Sequence, residues 1–245
     1  MNNIHIPPVV KNLLIINALF FAATYVFQSK GIELGFYLGA FYFDSPLFKI
    51  WQPITYMFMH GGFTHILFNM FALYTFGSVL EVHWGAKRFI NFYLITGLGA
   101  LGLQWAVQAF EVYQITGSAM NPGAVTIDLI KGMSSLNLQG IAPEQGQTLL
   151  GIYSGPMVGA SGAIFGLLVA FGMLYPNAEL FIMFIPVPVK AKYIIPVYIL
   201  LELSLGVASI QGDSVAHYAH LGGALLGFIL VKLWKDKNTF YDYYN

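Results

Sequence analysis

Six apolar stretches set the limits on this fold: residues 11–29, 63–82, 89–110, 160–175, 193–210 and 217–234. A bilayer core about 30 Å thick takes about 20 apolar residues in helix, so all six are candidate spans. The fourth, between Gly159 and Pro176, reaches only about 24 Å at about 1.5 Å per residue. A short helix in a bundle starts below one membrane face and leaves its first residue at the bottom of a depression. Only 9% of the 245 residues are charged, against about 25% in a soluble domain, and 57% are apolar. The expected fold is an all-α polytopic membrane protein, one domain of six transmembrane helices across 1–245.

Eleven basic residues balance eleven acidic ones, so no net charge favours nucleic acid. The absence of cysteine excludes disulfides, Cys-ligated metals and a thiol nucleophile. If the N-terminus is cytoplasmic, inside segments hold Lys11, Lys87, Arg88, Lys190, Lys192, Lys232, Lys235 and Lys237, eight of the eleven basic residues. Both termini are therefore expected inside. The first stretch reads as a retained span and not as a cleaved signal peptide. Of the two long loops, 31–62 has the aromatic runs of a partly embedded element. The other, 111–159, is rich in Gly, Ser, Asn, Gln and Pro; it reads as an exposed excursion with one short helix near 125–133.

Polar groups inside a membrane are costly and mark function. In HGGFTHILFN, His65 and Asn69 are four apart and share one face of the second span. In GPMVGASGAIFG, Ser161 opens the short fourth span, beside free backbone N–H groups and the positive end of the helix dipole. In AHYAHLGGALLG, His217 and His220 open the sixth span. Ala219, Gly223 and Gly227 form a small-residue stripe there, matched by Gly162, Gly166 and Ala170 on the fourth span. The two stripes predict that these spans touch, which brings Ser161 and His220 within hydrogen-bond reach. Spans two, four and six run in the same direction, so His65, Asn69, Ser161 and His220 share one depth near the outer face. Together they are the parts for acyl transfer: Ser161 as nucleophile, His220 as general base, and the Ser161 N–H, Asn69 and His65 as oxyanion donors. No aspartate lies at that depth on a span, which predicts a dyad without a third, acidic member.

The GASG string with Ser161, the AHLGG string with His220 and HGGFTHILFN with His65 and Asn69 resemble the motifs of rhomboid intramembrane serine proteases. The likeness, in order and spacing, runs from about Lys11 to Trp234. It implies a six-helix rhomboid-like bundle that cuts transmembrane protein substrates near the outer membrane face, with no cofactor and no metal. It also implies that Gly159 lines the oxyanion site and that Phe165 stacks on His220 and orients it. Residues 50–60 resemble the end of the family's embedded first loop, and 211–216 with the fifth span its substrate gate. Trp51–Gln52 departs from a Trp-Arg found in some members, which bears on loop stability or lipid contact and not on catalysis. The expected setting is a bacterial inner membrane, with membrane lipid and transmembrane substrates as partners.

Three rivals compete. A catalytically inactive rhomboid-like binder usually lacks the serine or the histidine, and both are present. A zinc site could gather His60, His65, His217 and His220, but H-E-x-x-H is missing and no carboxylate is expected to sit near them; His60 and His217 read better as hydrogen-bonding at the water interface. Glu202 in the fifth span keeps a transporter or channel open, although a neutral, protonated carboxyl bonded to a neighbouring helix is the favoured reading.

Overall fold

The computed structural model describes residues 6–128, 133–181, 187–208 and 216–234. The expected gate loop lies outside the described residues except for Ala216, as do Lys131, Lys235 and Lys237.

Among the described residues, four helices are long and apolar enough to cross a membrane: α1 (Pro8–Gln28), the continuous helix Phe63–Trp84, α6 (Ala86–Thr116) and α9 (Ala191–Ala208). The second consists of α4 (Phe63–Ala72), a π turn at Leu73–Gly77 and α5 (Ser78–Trp84). Two shorter apolar helices, α8 (Ser161–Leu174) and α10 (His217–Leu233), complete the bundle. The first loop contributes α2 (Leu34–Leu38), α3 (Gln52–Thr55) and a 3₁₀ turn, Tyr56–Phe58.

Large apolar side chains face outward, and several polar ones are buried among the apolar core. Asn17, Glu81, Thr96, Glu202 and His217 are buried, whereas Leu19, Phe63 and Leu200 are 60% or more exposed. Such a surface suits lipid, and the buried polar groups find partners inside. Glu81 of α5 shows how: its two carboxylate oxygens accept the Val9 and Val10 N–H groups at 2.9 and 2.7 Å. These are orphan donors at the start of α1, where a negative group is favoured.

The stripes meet as the sequence predicts. A Cβ on Gly223 would collide with the Gly162 carbonyl, and one on Gly227 would come within 2.8 Å of the Gly166 backbone. Helix α6 closes the triangle: a Cβ on Gly222 would lie 2.8 Å from the Gly99 carbonyl oxygen, and one on Gly166 2.7 Å from Thr96. Between α8 and α10 backbone meets backbone at these glycines, while on α6 the short side chains of Thr96 and Ala100 fill the contact.

The excursion differs from expectation. Helix α6 continues past 110 to Thr116 and stops at Gly117, whose φ of +79° suits glycine. In place of a short helix near 125–133 stands an antiparallel hairpin, β1 (Val125–Asp128) with β2 (Met133–Leu136). The run Val125-Thr126-Ile127 is β-branched throughout and favours strand. The excursion's helix is α7 (Pro143–Ser154), with proline in its first turn. A second small hairpin pairs β3 (Glu179–Leu180) with β4 (Val189–Lys190).

The excursion and the first loop are knotted together. Asp44 Oδ2 accepts the Asn121 N–H at 2.6 Å and the Tyr153 hydroxyl at 2.8 Å. Ser45 donates to the Tyr153 carbonyl at 2.6 Å, and Tyr42 to that of Ala119 at 2.6 Å. Burial, then the charge of Asp44, raises the Tyr42 phenol to about 12, which keeps it a donor.

Candidate active site

The serine loop is hung from the first loop. Ala40 and Met157 exchange backbone hydrogen bonds at 2.9 and 2.8 Å, and the Gly159 N–H donates to the Tyr56 carbonyl at 2.9 Å. Tyr56 is itself pinned, its hydroxyl donating to the Gly97 carbonyl of α6 at 2.7 Å. Gln52 does for the loop what the Trp-Arg variation left in question. Its buried side chain accepts the Phe41 and Lys49 N–H groups at 3.4 and 3.0 Å and donates to the Leu47 carbonyl at 3.0 Å.

Ser161 is the first residue of α8. With 14 residues, this helix spans only about 21 Å, less than the bilayer core. Ser161 Oγ lies 2.8 Å from His220 Nε2 across the glycine seam. Ser161, His220 and His65 are half-buried, so the group is not sealed. The His220 ring stacks on Phe165 at 4.3 Å with planes 8° apart, and Tyr198 of α9 also stacks on Phe165, at 5.2 Å.

His65 and Asn69 lie one turn apart on α4. The Gly61 N–H donates to His65 Nδ1 at 3.3 Å, which leaves Nε2 to carry the ring proton. Gly159 has a φ of +128°; a Cβ there would lie 2.9 Å from His65 Nε2 and 3.5 Å from Ser161 Oγ. The space above Gly159 is therefore flanked by the His65 ring and the serine hydroxyl, and only glycine leaves it open. Asn69 is buried and uses one amide hydrogen on the His65 carbonyl at 2.9 Å. The Ser161 N–H is among the first donors of α8, which have no partner within the helix.

The expectation that no acid lies near these groups is overturned. Glu202 Oε2 sits 2.9 Å from His220 Nδ1 and 2.7 Å from His217 Nδ1. A protonated oxygen could donate to only one of these nitrogens, so at least one imidazole donates to the carboxyl, and the picture of a neutral carboxyl merely bonded to a neighbouring helix is incomplete. A carboxylate does stand beside the histidines. Glu202, His217 and His220 are the group of described residues that could reach one cation, their ligand atoms lying within 4.8 Å of one another. His217 is buried against Glu202, and His60 is buried beside His65, so neither sits at the water interface as expected. The signal was present in the sequence: His217 and His220 are three apart on one helix face, and an adjacent span carries one unexplained carboxyl.

A helical bundle with apolar flanks and a serine, two histidines and a carboxyl held inside is a polytopic membrane protein. Residues 47–235 match the Rhomboid domain family, and the chain belongs to it. It is 28% identical over 211 residues to a mitochondrial rhomboid protein of Schizosaccharomyces pombe, covering 78% of this chain and 53% of the relative. It is 27% identical over 175 residues to Rhomboid protein 1, mitochondrial, of Saccharomyces cerevisiae (70% and 38%). It is 28% identical over 229 residues to Rhomboid-like protein 11, chloroplastic, of Arabidopsis thaliana (90% and 63%). The matches thus span less than two thirds of these relatives' own length. All three are named for mitochondria or the chloroplast, not for the bacterial membrane expected from the sequence.

Proposed function

We propose that this protein is an intramembrane serine endopeptidase of transmembrane substrates, with all six apolar helices crossing the membrane. The observation that carries this reading is the 2.8 Å contact between Ser161 Oγ and His220 Nε2 inside an apolar bundle. Ser161 attacks the peptide carbonyl while His220 takes its proton. The oxyanion is held by the Ser161 N–H, Asn69 Nδ2 and His65 Nε2 in the space above Gly159. His220 then gives the proton to the leaving amine, and water, activated by His220 in turn, releases the acyl-enzyme. Phe165 keeps the imidazole in plane. The basic residues favour both termini in the cytoplasm, which turns the Ser161 end of α8 to the outer face. Water reaches the serine because α8 begins below that face.

The test is purified protein with a labelled single-span substrate, beside a Ser161→Ala control. Cleavage by the parent chain and none by the variant is expected, together with labelling of Ser161 by a water-soluble fluorophosphonate from the outer face. Equal, absent cleavage in both would sink the proposal.

A further inference from the structure

Two imidazoles on one face of α10 converge on a single carboxylate oxygen from α9. Resting on the peptidase reading of Ser161 and His220, we propose that Glu202 is a positioning residue that completes a hydrogen-bonded Ser161–His220–Glu202 triad, with His217 bracing the carboxylate. The geometry supplies what the serine–histidine pair lacks. A neutral imidazole carries one ring proton, and a general base needs it on the nitrogen facing away from the serine. With Oε2 2.9 Å from Nδ1, Glu202 accepts that proton and fixes it there, leaving the Nε2 lone pair 2.8 Å from the serine hydroxyl.

When Nε2 takes the serine proton, the ring becomes an imidazolium beside a carboxylate that stays ionised; no proton passes to Glu202. The His217 Nδ1 contact at 2.7 Å is a second hold on the same oxygen, which restrains the carboxylate beside His220. The Glu202 side chain is only 7% exposed, so water competes poorly for it. Stacking on Phe165 sets the plane of the ring but not which nitrogen is protonated, so the two devices are complementary.

Glu202→Gln retains the shape and removes the charge. It is expected to lower kcat at least about 100-fold, within the range of about 10⁴-fold seen when such a carboxylate becomes an amide. KM stays within about threefold, and fluorophosphonate labelling of Ser161 slows in parallel. A merely structural role would leave kcat per folded, labelled molecule unchanged, and that result overturns the inference. If Glu202→Gln does not fold, ¹⁵N-histidine NMR of the parent protein decides, with His220 assigned by its loss in His220→Gln. Protonation at Nδ1 in the neutral ring supports the triad, and protonation at Nε2 overturns it. The NMR result stands apart from proteolysis, so failure of the peptidase reading is separately visible in the Ser161→Ala comparison.

Discussion

The His220 imidazole and the Phe165 ring are parallel to within 8°, their centroids 4.3 Å apart. Aromatic pairs of this kind contribute about 0.5–1.5 kcal/mol beyond area burial. Phe165→Leu keeps the bulk and loses the flat face, so kcat is expected to fall about 3- to 10-fold, while Phe165→Tyr stays near the parent value. Steady-state cleavage of one substrate by the three proteins checks this; a Phe165→Leu enzyme at full rate would show that the stack orients nothing.

At Gly159 one methyl should harm the chemistry more than the fold. Alanine there must hold a φ of +128° and place Cβ 2.9 Å from His65 Nε2. Losing one oxyanion donor costs about 100- to 1000-fold in rate, and Gly159→Ala is expected in that range with α8 still formed. Cleavage rate beside helical circular dichroism separates the two effects.

The seam between α8 and α10 gives the opposite pattern. Gly223→Ala drives a methyl into the Gly162 carbonyl, so the helices must part and Ser161 leaves His220. Overpacking costs about 1–3 kcal/mol, and more where the obstacle is backbone. The thermal midpoint in detergent should drop and cleavage should vanish. Gly102→Ala serves as control, since nothing lies within 4 Å of its Cβ position, and should be as stable as the parent.

Acid should loosen the fold through His60, which lies in the loop before α4. Burial first, then the neighbouring His65, lowers its pKa from 6.5 to about 4. Between these values the unfolded chain binds a proton that the folded chain refuses, so stability falls as pH falls through that window. The loss is about 3 kcal/mol in all. Thermal unfolding at pH 6.5 and pH 4 should show a steeper decline for the parent than for His60→Asn; parallel declines would refute this.

Chemistry on the spans was legible because apolar sequence leaves few polar residues to place. Ser161, His220, His65 and Asn69 stand out against leucine and phenylalanine, and the glycine stripes say which helices meet. Glu202 was legible as an anomaly but not as a partner, because an acid's role depends on which neighbour faces it across a helix pair. The hairpin at Val125–Leu136 was misread for a different reason: turn-forming composition hid a β-branched run whose preference is local. Glu81 reaching Val9 and Val10 spans more than seventy positions, and no local pattern announces it.

The knot of Asp44, Tyr153, Asn121 and Ser45 bears on any attempt to shorten this protein. The segment between α6 and α8 lies outside the helices that carry Ser161 and His220. Yet its removal would strip Asp44 of both its donors and Ser45 of its acceptor, in the same loop whose Tyr56 carbonyl carries Gly159. Trimming here would slacken the loop before Ser161 from a distance, so the segment is better regarded as scaffolding than as ornament.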